Sequence, residues 1–390
     1  MQTLIIHGRQ TALGQAELES LYGSEDLRPI GRIATVLDIA PAEINFTRLG
    51  GMVKLCKILT VLDTIKWDGI EKFLLQTTPS HAKKLEEGKL TVGLSTYDMA
   101  VSTKRMLATG LELKKAIKNT GRSVRLVPNK DTDLNAAQVL YNKLTQEMGW
   151  ELVFVRNGGQ TIVAQTIAVQ DIDKYAARDQ ARPYRDARVG MLPPKLAQTI
   201  INLAVGRTMT VNSTVQDPFC GTGVILQEAM LMGYTAKGGD LDPRMVEYTQ
   251  KNIAWLQENF RPEGKFAGCE PEDATTAALD GNTIACETYL GRALSSLPDP
   301  QNLQKIINDC DTIHSKFLKN IAAQTKSGFR MCIAVPAWST QKKFRHLPTL
   351  DKLTDLGYNR VKFVHVSNED LIYHRPNQIV ARELVVLERN

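Results

Sequence analysis

From residue 207 to the end, short apolar runs alternate with longer segments whose apolar positions recur every three or four residues. The runs predict strands over 214–217, 235–240, 265–268, 283–286, 331–336, 361–366 and 380–387. The periodic segments predict helices over 224–232, 243–258, 303–323 and 350–355. Strand and helix in alternation are the mark of a doubly wound parallel sheet. The first half reads as α+β instead. Strands are expected over 3–7, 35–39, 53–58, 90–94, 123–127, 151–156 and 161–168, with helices over 12–22, 68–76, 102–120 and 134–148. The apolar positions of 12–22 fit one buried stripe only loosely, and Gly110 sits inside 102–120 as a candidate interruption.

Between the halves lies a connector, 171–200, in which Pro183 and Gly190 argue against one continuous helix. Pro193-Pro194 suits the first turn of a helix over 195–205. Arg178, Arg182, Arg185 and Arg188 either grip phosphates or pair with Asp179 and Asp186 as a rigid hinge.

Composition narrows the class. The 390 residues are 43% hydrophobic and 23% charged, as in a soluble globular chain of two or three domains. No apolar run approaches membrane-spanning length, and the N-terminus lacks a signal-peptide pattern. The six cysteines are scattered with no Cys-x-x-Cys pair, which argues against structural metal or a disulfide framework and for a reduced, cytoplasmic setting. The net charge of +6 is concentrated: residues 81–130 hold eleven Lys/Arg and four Asp/Glu. At 100° per residue, Lys104, Lys115, Lys118 and Arg122 fall within an arc of roughly 60°, with Lys114, Arg125 and Lys130 close by. Such a block suits a polyanion, and RNA is the expected partner, with no membrane and no DNA.

Candidate chemistry centres on Asp217-Pro-Phe219-Cys-Gly221-Thr-Gly223, where a strand runs into a helix. Glycines there let the backbone approach a ligand, and the helix N-terminus favours an anionic group. Asp240, at the end of the next strand, can accept from two ribose hydroxyls. The third glycine of a dinucleotide fingerprint is missing, which disfavours a nicotinamide dehydrogenase.

The string Asp-Pro-Phe-Cys-Gly-Thr-Gly resembles motif I of class I S-adenosylmethionine methyltransferases. Nearly the whole chain resembles the THUMP-domain RNA methyltransferases, in particular the group that methylates the N2 amine of a tRNA guanosine. The likeness is carried by residues 8–20, 92–95, 124–130, 134–139, 178–183, 191–197 and the motif itself. It implies four parts: 1–55, a ferredoxin-like α+β subdomain; 56–170, a THUMP RNA-binding domain; 171–200, the connector; and 201–390, the class I methyltransferase sheet. It further implies S-adenosylmethionine as cofactor, tRNA as substrate and a possible small activating subunit. Asp217, Phe219, Gly221, Gly223, Asp240 and Asp273 would hold the cofactor, with Asp273 taking the adenine amine or serving only as a helix cap. The family's Asp-Pro-Pro-Tyr string is here Glu287-Thr288-Tyr289-Leu290. Glu287, the Thr288 carbonyl and Tyr289 are the corresponding catalytic candidates. The departure leaves two alternatives open: an RNA-binding protein with impaired chemistry, or a methyltransferase for another base.

Overall fold

The computed structural model describes residues 2–186, 191–340, 343–376 and 378–390. The chain divides into two units. One comprises Met1–Thr11, Glu25–Thr47 and Met52–Lys174; the other comprises Ala12–Ser24, Arg48–Gly51 and Tyr175–Asn390.

The first unit is built on one sheet of eight strands: β1 (Thr3–His7), β2 (Leu27–Ile30), β3 (Ala34–Leu37), β4 (Met52–Leu62), β5 (Leu90–Tyr97), β6 (Val124–Leu126), β7 (Gly149–Asn157) and β8 (Gln160–Val169). Their order is β2-β3-β1-β4-β8-β7-β5-β6. The long β4 pairs with β1 on one side and β8 on the other, both antiparallel. The boundary expected between residues 55 and 56 therefore falls inside a strand, where the sheet is continuous. Helices α2 (Trp67–Lys83) and α3 (Thr103–Lys118) bury Ile70, Leu74, Met106, Leu113 and Ile117 against Leu90, Val92, Leu94 and Phe154. The hydroxyl of Ser102 accepts the Arg105 N–H and starts α3, which runs through Gly110 without a break.

The helix expected over 134–148 is shorter. An Asn135/Gln138 capping box opens α4 (Ala136–Tyr141), and Lys143, at φ +54°, lies in the left-handed region that a helix cannot pass through.

The second unit holds α1 (Thr11–Tyr22) apart from its first residue, most of α5 (Ile172–Gln180), and α6 (Pro194–Val205), α7 (Val224–Leu231), α8 (Pro243–Phe260) and α9 (Pro300–Gln324). Its strands are β9 (Thr214–Asp217), β10 (Thr235–Asp240), β11 (Phe266–Pro271), β12 (Thr283–Glu287), β13 (Arg330–Ser339), β14 (Phe344–Arg345), β15 (Tyr358–Arg360), β16 (Ile372–Tyr373) and β17 (Val380–Arg389). The sheet order is β11-β10-β9-β12-β13-β17-β15. Strands β9 to β13 are parallel, while β17 lies antiparallel between β13 and β15. Alternate residues feed the two faces. Ala285, Cys332 and Ala334 meet Ile200, Leu226 and Ala229 on one side; Ile284, Cys286, Ile333 and Val335 meet Leu303, Ile307 and Phe317 on the other. Among the described residues no helix is long and apolar enough to cross a membrane.

Two expectations fail in this unit. Residues 361–366 form no strand, because the amides of Val364 and His365 donate to the carboxylate of Glu19 on α1 (2.6 and 3.1 Å) instead of to a neighbouring strand. In place of a helix over 350–355 there is a single 3-10 turn, Pro348–Lys352.

The loose apolar stripe of α1 is also explained. Glu17 is fully buried within this unit, accepting from the Gly50 and Gly51 amides (2.9 and 2.8 Å) and from Asn202 Nδ2 (2.6 Å).

Candidate active site

The sheet reverses direction of growth between β9 and β12, and ligands of open α/β sheets sit beyond the strand carboxyl ends at such a point. The loop 217–223 occupies that position. Asp217 is buried at the end of β9, and its Oδ1 accepts the Phe219 N–H at 3.1 Å. Burial pushes its carboxyl well above the usual range, and the nearby charges of Asp240 and Glu287 push the same way.

Gly221 (φ +52°) and Gly223 (φ +82°) take the left-handed turns that lead into α7. A side chain on Gly221 would meet nothing within 4 Å, so the backbone there faces open space that a ligand can fill.

Three side chains hold the loop from outside. Asp240 Oδ2 accepts the Gly221 N–H (2.9 Å), Thr249 Oγ1 donates to the Gly221 carbonyl (2.8 Å), and Asn252 Nδ2 donates to the Thr222 carbonyl (2.9 Å). Asp240 also accepts the Asp242 N–H at 3.0 Å. Each of its oxygens therefore keeps a free lone pair for a further donor. Burial raises the Asp240 pKa, against those two amides.

The missing third glycine has a counterpart on the neighbouring strand. A Cβ on Gly238 of β10 would lie 2.5 Å from Leu226 Cδ1 of α7 and 3.2 Å from Cys220 Cβ of the loop, so a side chain there would press on both.

Phe219 turns inward and packs edge-on against Phe317, with ring centroids 5.1 Å apart. Asp273 is exposed and its carboxylate accepts the Thr275 N–H at 2.8 Å, a capping contact that also lowers its pKa.

At the end of β12, Glu287 is largely buried and paired with Arg382 of β17. Burial raises its pKa while Arg382 opposes that. Thr288 is buried, and Tyr289 is 41% exposed. The structure thus brings Asp217, Gly221, Gly223, Asp240 and Glu287 to the carboxyl ends of adjacent strands.

Among the basic candidates, Lys104, Lys115, Lys118, Arg125 and Lys130 are exposed on the first unit. Arg122 lies beyond the end of α3, outside the expected arc, and its guanidinium donates to the carbonyls of Leu85, Glu86 and Gly88. Arg125 donates to Asn142 Oδ1 at 2.8 Å. In the connector, Arg178 makes a two-pronged pair with Glu228 of α7 (2.7 and 3.2 Å), Arg182 pairs with Asp179, and Asp186 pairs with Arg244. Arg178 and Arg182 are both buried; Arg182 makes the pairing expected of the hinge, with Asp179, whereas Arg178 turns to Glu228 instead, and Arg188 and Gly190 lie outside the described residues.

Four residues escaped the sequence reading: Thr249, Asn252, His314 and Arg382. Thr249 and Asn252 were detectable as polar residues on the apolar stripe Met245, Val246, Ile253 and Leu256 of α8. His314 interrupts the corresponding stripe of α9.

Parallel order about the switch point, the antiparallel β17 and the glycine loop define the fold of the class I methyltransferases. Residues 182–288 match the model of the family described as UPF0020, RMKL-like, methyltransferase domain. Among curated proteins, the tRNA (guanine(10)-N2)-dimethyltransferase of Methanothermobacter thermautotrophicus is 34% identical over 218 residues, covering 55% of this chain and 57% of that protein. The enzyme of the same name from Methanocaldococcus jannaschii is 44% identical over 64 residues, 16% of this chain and 17% of that one. The matches thus span little more than half of the first relative and less of the second. The crystal structure of TrmN from Thermus thermophilus superposes over 100% of both chains with a TM-score of 0.52 at 16% identity, so the two share a fold.

Proposed function

We propose that the chain is an S-adenosylmethionine-dependent methyltransferase acting on the exocyclic N2 amine of a guanosine in tRNA. The observation that carries this is the loop 217–223 with Asp240 at the switch point, in a chain related to enzymes named for that reaction. The residues fit the cofactor. The open space over Gly221 admits it, the buried Asp217 carboxylate suits its ammonium, and the spare lone pairs of Asp240 suit its ribose hydroxyls. The Gly221 N–H is already held by Asp240 and the Gly223 N–H by the Cys220 carbonyl, so the cofactor's carboxylate would take Thr222 and the first turn of α7. Asp273 would turn to the adenine amine.

When bound, the cofactor supplies an electrophilic methyl group on a sulfonium sulfur. The chain's part is to orient the nucleophile. Glu287 and the Thr288 carbonyl accept the two N2 hydrogens, align the amine with the methyl and take up positive charge as the N–C bond forms. With a neutral thioether as the leaving group that the cofactor would supply, the surplus N2 proton would pass to Glu287, whose raised pKa suits it to receive one. Tyr289, exposed beside them, would stack on the base.

In the same proposal the first unit is a THUMP-type RNA-binding module, and Lys104, Lys115, Lys118, Arg122, Arg125 and Lys130 form its RNA-facing set. A small activating protein subunit and a cytoplasmic location belong to it as well. A second reading, an RNA-binding protein without the chemistry, is favoured by one contact: Arg382 already occupies Glu287. Incubation with labelled cofactor and bulk tRNA, followed by nucleoside analysis, separates them. N2-methylated guanosine supports the first reading; tRNA and cofactor binding without transfer supports the second; transfer to DNA overturns both.

A further inference from the structure

One step beyond Glu287, the chain is pinned by partners from two other elements. The Thr288 N–H donates to the Ala334 carbonyl of β13 at 3.0 Å. The Thr288 hydroxyl lies 2.6 Å from His314 Nε2 and 3.0 Å from that same carbonyl. His314 is buried, and its Nδ1 is 2.7 Å from the Cys310 carbonyl. A carbonyl can only accept, so Nδ1 carries the ring hydrogen. Burial lowers the imidazole pKa to about 4, which keeps the ring neutral and leaves Nε2 as a bare acceptor. Nε2 has no hydrogen of its own, so its 2.6 Å contact takes the hydroxyl proton, which the Ala334 carbonyl, with a second lone pair, shares at 3.0 Å. Both donors of Thr288 are thereby fixed.

Its carbonyl is treated differently. The parallel register pairs Glu287 with Ala334. Carried one step further, that ladder requires an N–H from residue 336 to the Thr288 carbonyl. Residue 336 is proline and has no N–H to give. The ladder ends with an acceptor that β13 cannot satisfy, next to Glu287.

We propose that His314 and Pro336 together make the Thr288 carbonyl a fixed and unpaired acceptor for the substrate amine. His314 is a positioning residue acting through Thr288, and Pro336 keeps the carbonyl open. The string Glu287-Thr288-Tyr289-Leu290 contains no proline to stiffen its turn, so the stiffness comes from these hydrogen bonds. The inference rests on the methyl-transfer reading above.

Pro336→Ala is the direct test, since it adds the missing donor on the β12 side. The expected result is a fall in kcat of about tenfold or more, with cofactor and tRNA dissociation constants unchanged and the melting temperature not lowered. A purely structural role for Pro336 would not lower kcat in a protein at least as stable. His314→Leu and Thr288→Val should each lower kcat without raising KM, and the double variant should be no worse than either single one. Thr288→Ser should retain most of the activity. Normal kcat in a folded Pro336→Ala protein, or additive losses in the double variant, would overturn this proposal alone. Failure of the unmodified protein to methylate tRNA would overturn the proposed function, and this inference with it.

Discussion

Asp217 holds its proton tightly because it is buried and because Asp240 and Glu287 oppose its ionisation. An ammonium seated against it needs the ionised form, so cofactor binding should expel a proton. Affinity should then rise about tenfold per pH unit below the raised pKa and level off above it. For stability the sign is opposite to that of a salt-bridged aspartate. The folded state binds this proton more tightly than the unfolded chain, so its contribution is greatest in acid and fades as pH rises from the ordinary carboxylate range through the raised value. Calorimetry in buffers of different ionisation heat measures the released proton, and Asp217→Asn should abolish it; a flat affinity profile would place the ammonium elsewhere. Asp240→Ala should weaken cofactor binding by at least ~1.5–3 kcal/mol, the scale of a charge-assisted hydrogen bond. Unchanged affinity in a folded variant removes Asp240 from the site. Glu287→Gln should slow transfer by ~10²–10³-fold while both ligands still bind; full activity would leave Glu287 only its pairing with Arg382.

At the level of elements, α1 contributes to the second unit although more than 150 residues of chain separate it from the main body of that unit, from Tyr175 onward. Glu17 satisfies two backbone amides and Asn202 from inside the core, and Glu19 satisfies two amides of the 361–366 segment. Replacing Glu17 by Ala would strand these donors without water. Equilibrium denaturation should show a loss of about 3–5 kcal/mol for this unit. By the same reasoning, a fragment of residues 175–390 without α1 should fail to reach a cooperative fold by circular dichroism. A sharp thermal transition in that fragment would show α1 to be dispensable.

Across the whole molecule, charge is uneven. The excess of Lys and Arg over 81–130 is larger than the net +6 of the chain, so the remainder is nearly neutral. Lysines on helical RNA read phosphates and shape, because the base edges are hidden in a deep, narrow groove. Reversing charge at the exposed Lys115 and Lys118 should weaken tRNA binding and lower the salt slope by about one unit for each phosphate no longer neutralised. Cofactor affinity should stay as it was. An unchanged slope would move the RNA surface to other cations, Arg185 of the connector first. Arg122 is a poorer test, since its guanidinium is tied to three backbone carbonyls.

Features that depend on near neighbours were legible in the amino-acid order alone. Strand 214–217, the glycine turn behind it and Asp240 follow from alternation, φ requirements and the Asp-Pro and Gly-x-Gly strings, and the structure has β9 and β10 over those residues. The parallel run β9 to β13 followed from periodicity in the same way, whereas the antiparallel placement of β17 between β13 and β15 did not. Folding in three dimensions settled the matters in which a residue's partner lies far along the chain. Glu17 and Asn202 are 185 positions apart, Glu287 and Arg382 are 95 apart, and Thr288 reaches His314 across 26. No local pattern encodes such pairs, because each is a buried polar group whose cost is met only once the fold brings its partner to it. For the same reason residues 361–366, apolar enough to be read as a strand, gave two of their amides to a glutamate near the start of the chain.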